Sequence, residues 1–206
     1  MQVAKDFQDA PNAMVYLTGI HIEHDGPGDE GTSTLRWLAK TYLPGADWTA
    51  SESDSGTGVM HVTVLYQGKA EKDKFKAYMR DLDVPAQFSG KLSGFQSVRI
   101  SENKGVVVLR IDCEPLQDFH AALRDGAFRA TGAKAEMGLH TGPGGEHCFK
   151  HDYSPHITLA TYSDLAKMDR DMDKLVYNGH PRISRVGSDG AVRMLGVTLS
   201  NWVVYA

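Results

Sequence analysis

The chain has 206 residues, 41% hydrophobic and 23% charged, with a net charge of −4 and an isoelectric point near 6.1. That is enough apolar material for one domain or two small lobes, and the acidic balance excludes a general binder of long nucleic acid, whose affinity comes from neutralising phosphates. No apolar run reaches the length of a membrane span, the N-terminus shows no signal-peptide core, and two cysteines, Cys113 and Cys148, make no disulfide framework, so a reducing cytoplasm is the expected compartment.

Residues 1–13 read as a polar lead-in and residues 14–206 as a single domain. Met14 to Ile22 has strand composition. Asp25 to Gly31 reads as a loop from its Gly and Pro content. Thr32 or Ser33 can cap a helix whose apolar face is Leu35, Leu38, Ala39 and Tyr42, and Pro44-Gly45 ends it. A loop over 51–58 leads to a strand through His61, closed by Gly68. A second helix is expected over 70–82, with Phe75, Tyr78, Met79 and Leu82 inward.

Phe95 to Ile100 and Val106 to Ile111 read as paired strands around Asn103-Lys104-Gly105. Pro115 suits the first turn of a third helix reaching Phe128, with Leu116, Phe119 and Leu123 inward. Thr141 to Gly145 is Gly-rich and reads as a mobile loop. A strand through His156 follows, then a fourth helix over 163–175 with Leu165, Met168, Met172 and Leu175 inward, and β structure over 182–186 and 192–205. The order is mixed α and β in two similar halves, each with one histidine strand followed by a helix.

Those two strands carry the chemistry. Met60-His61-Val62-Thr63-Val64-Leu65-Tyr66 and Ser154-Pro155-His156-Ile157-Thr158-Leu159-Ala160 share the pattern apolar–His–apolar–Thr–apolar, 95 residues apart. In a strand, i and i+2 share a face, so each His points with its Thr, while Val62 and Ile157 point into a core. Side by side, the two strands set two imidazoles and two hydroxyls around one cleft. One imidazole can be neutral while the other is protonated, since an unperturbed imidazole titrates near ~6.5. The pair then serves as general base and general acid on a phosphodiester, with Thr63 and Thr158 donating to the non-bridging oxygens. Sequence does not say which histidine is the base.

The paired motifs resemble the signatures of the 2H phosphoesterases, a superfamily that includes the bacterial RNA 2′,3′-cyclic phosphodiesterases, also called 2′-5′ RNA ligase-like proteins. The resemblance runs through Gly94-Phe95, Val106 to Ile111 and the Pro115–Leu123 helix, about residues 14–162. It implies an α+β bilobal fold of two pseudo-symmetric lobes, antiparallel sheets flanked by helices, with the cleft between them. It also implies a metal-independent phosphodiesterase with catalytic His61, Thr63, His156 and Thr158 and no cofactor. Val59 to Tyr66, Thr131 to Ala133 and His151 to His156 are similar to phage anti-CBASS nucleases, small 2H enzymes that destroy cyclic oligonucleotide immune signals. That resemblance inclines the substrate toward cyclic oligonucleotides, in a host cytoplasm. The alternatives are processing of RNA ends bearing a 2′,3′-cyclic phosphate or a 2′-5′ linkage, and a non-catalytic sponge for nucleotide signals.

Tyr16, Tyr153 and Trp202 are the candidates for stacking on a base. Tyr66, five positions beyond His61, falls on the opposite strand face and reads as core. His120 lies beside an apolar helix face and reads as structural. His21 and His24 face opposite ways on a strand, and His147, Cys148 and His151 lack the partner set of a structural zinc site. The loop over 141–145 lacks the Lys-Ser/Thr of a P-loop, and no GxSxG elbow is present. The expected partner is a small nucleotide, with no membrane and no long nucleic acid.

Overall fold

The computed structural model describes residues 3–23, 31–47, 60–134 and 153–206. The expected α+β bilobal architecture holds. Strand β1 (Lys5–Gln8) precedes a first half made of β2 (Ala13–Ile22), α1 (Gly31–Tyr42), β3 (Val62–Gly68) and α2 (Lys72–Asp81). Strand β4 (Gln87–Arg99) leads to the second half: β5 (Gly105–Asp112), α3 (Glu114–Thr131), β6 (His156–Tyr162) and α4 (Leu165–Ile183). A small hairpin, β7 (Ser184–Val186) and β8 (Val192–Met194), precedes β9 (Gly196–Tyr205). Each half is thus a β-α-β-α unit whose two strands pair antiparallel.

The main sheet runs β1-β9-β2-β3-β6-β5-β4, and β9 also pairs with β4, so the sheet closes through β9. Gly196 to Ser200 lie beside β4, whereas Trp202 to Tyr205 lie beside β1. The change of neighbour falls at Asn201, whose φ of 57° is left-handed; asparagine tolerates that region better than most residues. The Thr18 hydroxyl donates to the Asn201 carbonyl at 3.3 Å and ties β2 to this kink.

Helices cover one face of the sheet because their apolar stripes must be buried. Leu35, Leu38 and Ala39 of α1, Phe75 and Met79 of α2, Leu116 and Leu123 of α3, and Met168 and Leu175 of α4 join one core with Leu17, Val62, Leu109 and Ile157 of the strands. Helix α1 packs on α4 and on β6, and α3 packs on α2 and on β3, so the helices interlock the halves. On α4, Asp164 caps the N-terminus by accepting from the Ala166 and Lys167 amides at 3.0 and 3.1 Å.

Three elements differ from their sequence reading. Strand β4 begins at Gln87 instead of Phe95. Its Ser89-Gly90…Ser93-Gly94 composition mimics a loop, and Gly94 (φ 133°) sits at a break in its register with β5. Helix α4 continues to Ile183, past Gly179 and Pro181, instead of ending at Leu175, and β7 starts at Ser184 instead of Arg182; a Cβ at Gly179 would come within 3.1 Å of the Phe95 ring, so this glycine allows helix and sheet to close together. The polar lead-in holds β1, and the Lys5 ammonium donates to the Met79, Arg80 and Leu82 carbonyls at the C-terminal end of α2. A cation at that end of a helix is favoured by its dipole.

Candidate active site

The two motifs meet at the centre of the sheet. Val62 of β3 pairs antiparallel with Ile157 of β6, and both side chains are fully buried in the core. Antiparallel continuation of this register sets His61 across from Thr158, and Thr63 across from His156. His61 immediately precedes β3 and His156 opens β6. The four side chains therefore share the sheet face away from the helices. His61, Thr63 and His156 are half-buried, and Thr158 is exposed.

Each motif ends in the same irregularity. Thr63 pairs with Tyr16 and Leu65 with Val15, which leaves Val64 as an extra residue. Thr158 pairs with Val108 and Ala160 with Val107, which leaves Leu159 as the extra residue. A one-residue bulge thus follows both threonines. Bulges bend a strand and re-aim side chains, and they concentrate at such sites.

The two sides of this face differ. On the β2 side, the Tyr16 ring stacks on His61, with centroids 3.9 Å apart and planes at 17°. Tyr205 lies 5.1 Å from Tyr16, and these two tyrosines cluster with Val203 and Met14. Burial pushes the Tyr16 phenol up to about 12. On the β5 side, Val98, Val106 and Val108 form an aliphatic cluster. Arg110 pairs with His156 across the β5–β6 ladder, and its guanidinium donates to the Ser154 hydroxyl at 3.0 Å. The Ser154 carbonyl lies 2.8 Å from His156 Nδ1. Burial lowers the His156 pKa, Arg110 lowers it further, and the Ser154 carbonyl opposes them.

A family model described as the 2′-5′ RNA ligase superfamily matches residues 57–187, a span that contains both motifs. The chain belongs to this superfamily. Usb1 of Kluyveromyces marxianus is a similar solved structure, 10% identical over 82% of this chain and 82% of that chain, with a TM-score of 0.39. The same organism's Usb1 with uridine monophosphate is 10% identical over 92% of this chain and 98% of that one, with a TM-score of 0.43. No curated protein matches the chain.

In this 2′-5′ RNA ligase superfamily member, the three aromatic candidates occupy different places. Tyr16 reaches the motifs, but its ring is only 5% exposed and lies against His61. Tyr153 is half-buried; its ring stacks on His120 at 4.0 Å, and its hydroxyl donates to the Thr63 carbonyl at 2.9 Å. Trp202 is 1% exposed and belongs to the core. It pairs with Leu17, on the face opposite Tyr16; its indole N–H donates to the Pro85 carbonyl at 2.7 Å, and Phe88 and Phe119 pack around it. The structure thus puts Trp202 in the main core, on the sheet face opposite the two motifs.

Tyr66 is a correction in the other direction. The extra residue at Val64 reverses the alternation, so Tyr66 pairs with Met14 and lies on the face of Tyr16 and His61. His120 is structural, as expected. It is buried on α3, and its Nδ1 lies 2.6 Å from the Val64 carbonyl, which identifies that nitrogen as the donor. Burial lowers its pKa, with the Val64 contact opposing.

Arg110 was not singled out by sequence. Its signal is a lone cation in the apolar run Val106-Val107-Val108-Leu109-Arg110-Ile111, on the same alternate face as Val106 and Val108. The loop over 141–147 and His24, His147, Cys148 and His151 lie outside the described residues, as do residues 25–30. Among the described residues, no helix is long and apolar enough to cross a membrane.

Proposed function

We propose that the chain is a phosphodiesterase that cleaves a small ribonucleotide substrate, with His61 and His156 as its acid–base pair. Thr63 and Thr158 donate to the non-bridging phosphate oxygens. The observation that carries this reading is the antiparallel Val62–Ile157 pair, which supports it because residues on either side of that pair share one face of the sheet. In the reaction, a neutral imidazole takes the proton of a ribose 2′-hydroxyl or of water as that oxygen bonds to phosphorus. The opposite P–O bond breaks, and the departing oxygen takes a proton from the other, protonated imidazole. General acid–base assistance of this kind is worth on the order of 10²–10⁴-fold. Every step uses side chains of the chain itself.

The sequence around both motifs favours cyclic oligonucleotide signals as the substrate, met in the cytoplasm. The superfamily match favours a second substrate, an RNA end, since its description names a 2′-5′ RNA ligase; that end carries a 2′-5′ linkage or a 2′,3′-cyclic phosphate. A sponge for nucleotide signals has no need for both complete His-x-Thr sets.

The test is product analysis by chromatography. Trace protein in excess EDTA is incubated with cyclic dinucleotides, cyclic trinucleotides, 2′-5′ oligoadenylate and RNA ending in 2′,3′-cyclic phosphate, beside a His61→Ala, His156→Ala double variant. Multiple turnovers lost in the variant support the reading, and the substrate consumed decides between its two forms. Stoichiometric binding without turnover replaces it with the sponge.

A further inference from the structure

We propose that Arg110 breaks the symmetry of the cleft and makes His156 the general base, leaving His61 as the general acid. The proposal rests on the two-histidine reading above and assigns the roles within it. The pseudo-two-fold relates each ladder position in one half to a position in the other. Arg110 stands across from His156 on β5. Leu17 pairs with Val62 on β2, so the corresponding position across from His61 is Thr18, which carries no charge. Directly opposed residues on adjacent strands hold their Cβ atoms about 4.5–5.5 Å apart. A guanidinium, always charged, therefore neighbours one imidazole at a position where the other has a hydroxyl.

Two further contacts point the same way. The Arg110 guanidinium is anchored on the Ser154 hydroxyl, and the carbonyl of that same serine accepts from His156 Nδ1. Ser154 thus fixes cation and imidazole together. With Nδ1–H committed to a carbonyl, the neutral ring of His156 presents the lone pair of Nε2, as a base requires. His61 instead lies flat against the Tyr16 ring, and an aromatic face favours a cation beside it. The two environments push the histidines toward opposite protonation states, which is the arrangement that separates acid from base.

Among the described residues, the titratable or charged groups that the neighbouring elements set around His156 do not reverse this. His61 and Tyr66 share its face from β3, and Tyr153 precedes it on its own segment with its hydroxyl held on the Thr63 carbonyl. Asp112 is two positions beyond Arg110 on β5 and stands exposed across from Lys91, a cation of its own. With His156 as base, its Nε2 takes the 2′-hydroxyl proton as O2′ bonds to phosphorus. The P–O5′ bond then breaks, and O5′ takes its proton from the His61 imidazolium.

The first measurement is an NMR titration of the imidazole signals in the wild type, Arg110→Met and Arg110→Lys, with His156→Ala supplying the assignment. The His156 midpoint is expected below ~6.5, the ordinary imidazole value, to rise in Arg110→Met and to stay low in Arg110→Lys. A midpoint that does not move in a folded Arg110→Met protein overturns the proposal, whether or not the protein is an enzyme. The second uses uridine 3′-(4-nitrophenyl phosphate), whose nitrophenolate departs without a proton. His61→Ala should stay within ~10-fold of the wild type there, while His156→Ala loses ~10²-fold or more. The reverse order overturns the assignment. A wild type that turns over neither this ester nor the nucleotide panel overturns the phosphodiesterase reading, and the base role with it.

Discussion

The Tyr153 hydroxyl donates to the backbone carbonyl of Thr63 across 2.9 Å, joining the segment before one motif to the threonine of the other. Its ring is held in place by the stack on His120, whose own Nδ1 donates to the Val64 carbonyl. Two neighbouring carbonyls of β3, one of them at the bulge, are thereby satisfied from the second half of the molecule. The expected outcome of Tyr153→Phe is a folded protein that keeps the ring stack and loses about 1–3 kcal/mol through the unpaired Thr63 carbonyl. Chemical denaturation measures it. An unchanged midpoint would show that this hydroxyl does not hold β3.

Replacement of the motif residues separates the roles within the cleft. His61→Ala and His156→Ala are each expected to lower kcat/KM by ~10²–10⁴-fold on a nucleotide with an unactivated leaving group. Thr63→Ala and Thr158→Ala each remove one donor to the phosphate, and losses of ~10²–10³ in kcat are expected, as for other oxyanion donors. The double histidine variant should lose much less than the product of the two single losses, because the pair acts as a unit. Near-normal turnover of such an unactivated nucleotide in either single histidine variant would end the acid–base scheme.

Both motifs were legible in the sequence because strand alternation is a strong signal and Val62 and Ile157 are fully buried where it requires. Two residue assignments and two element boundaries do not follow from the local pattern, each for a physical reason. Tyr66 changes face because Val64 is an extra residue in β3, and a bulge leaves no mark in composition. Trp202 follows the left-handed Asn201, which breaks the period of β9 between Leu199 and Trp202, both buried. The early part of β4 is held by β9, a partner more than a hundred residues away, while its own residues are glycine and serine. The end of α4 survives Pro181 because Ile183 and Gly179 are buried against the rest of the fold. Arg110 was readable as an isolated cation on an alternate face of an apolar strand, but its place beside His156 depends on the β5–β6 register.

Trp202 provides a control for the aromatic residues. It fills the core between Phe88 and Phe119, so Trp202→Ala is expected to cost ~3–5 kcal/mol, the usual range for emptying such a site. Trp202→Phe keeps most of the volume and loses the bond to the Pro85 carbonyl, so a smaller loss is expected. In protein that remains folded, Trp202→Phe should leave KM for the nucleotide close to that of the wild type. A large rise in KM at unchanged thermal stability would mean that the indole reaches the ligand after all.

Acid should destabilise this fold in a defined window. Burial holds both His120 and His156 below the ordinary imidazole value, and Arg110 reinforces the shift at His156. In the unfolded chain both titrate near ~6.5. As the pH falls below that value, the unfolded chain binds protons that the folded state still refuses, so stability present above ~6.5 is progressively lost until the folded imidazoles themselves protonate. Denaturant midpoints measured between about pH 7.5 and 4.5 are expected to fall through this range. Substituting His120 by Gln removes one of the two groups and, in a protein that still folds, should flatten the slope. A wild-type midpoint that stays level from pH 7 down to 5 would show that neither histidine is held neutral by the fold.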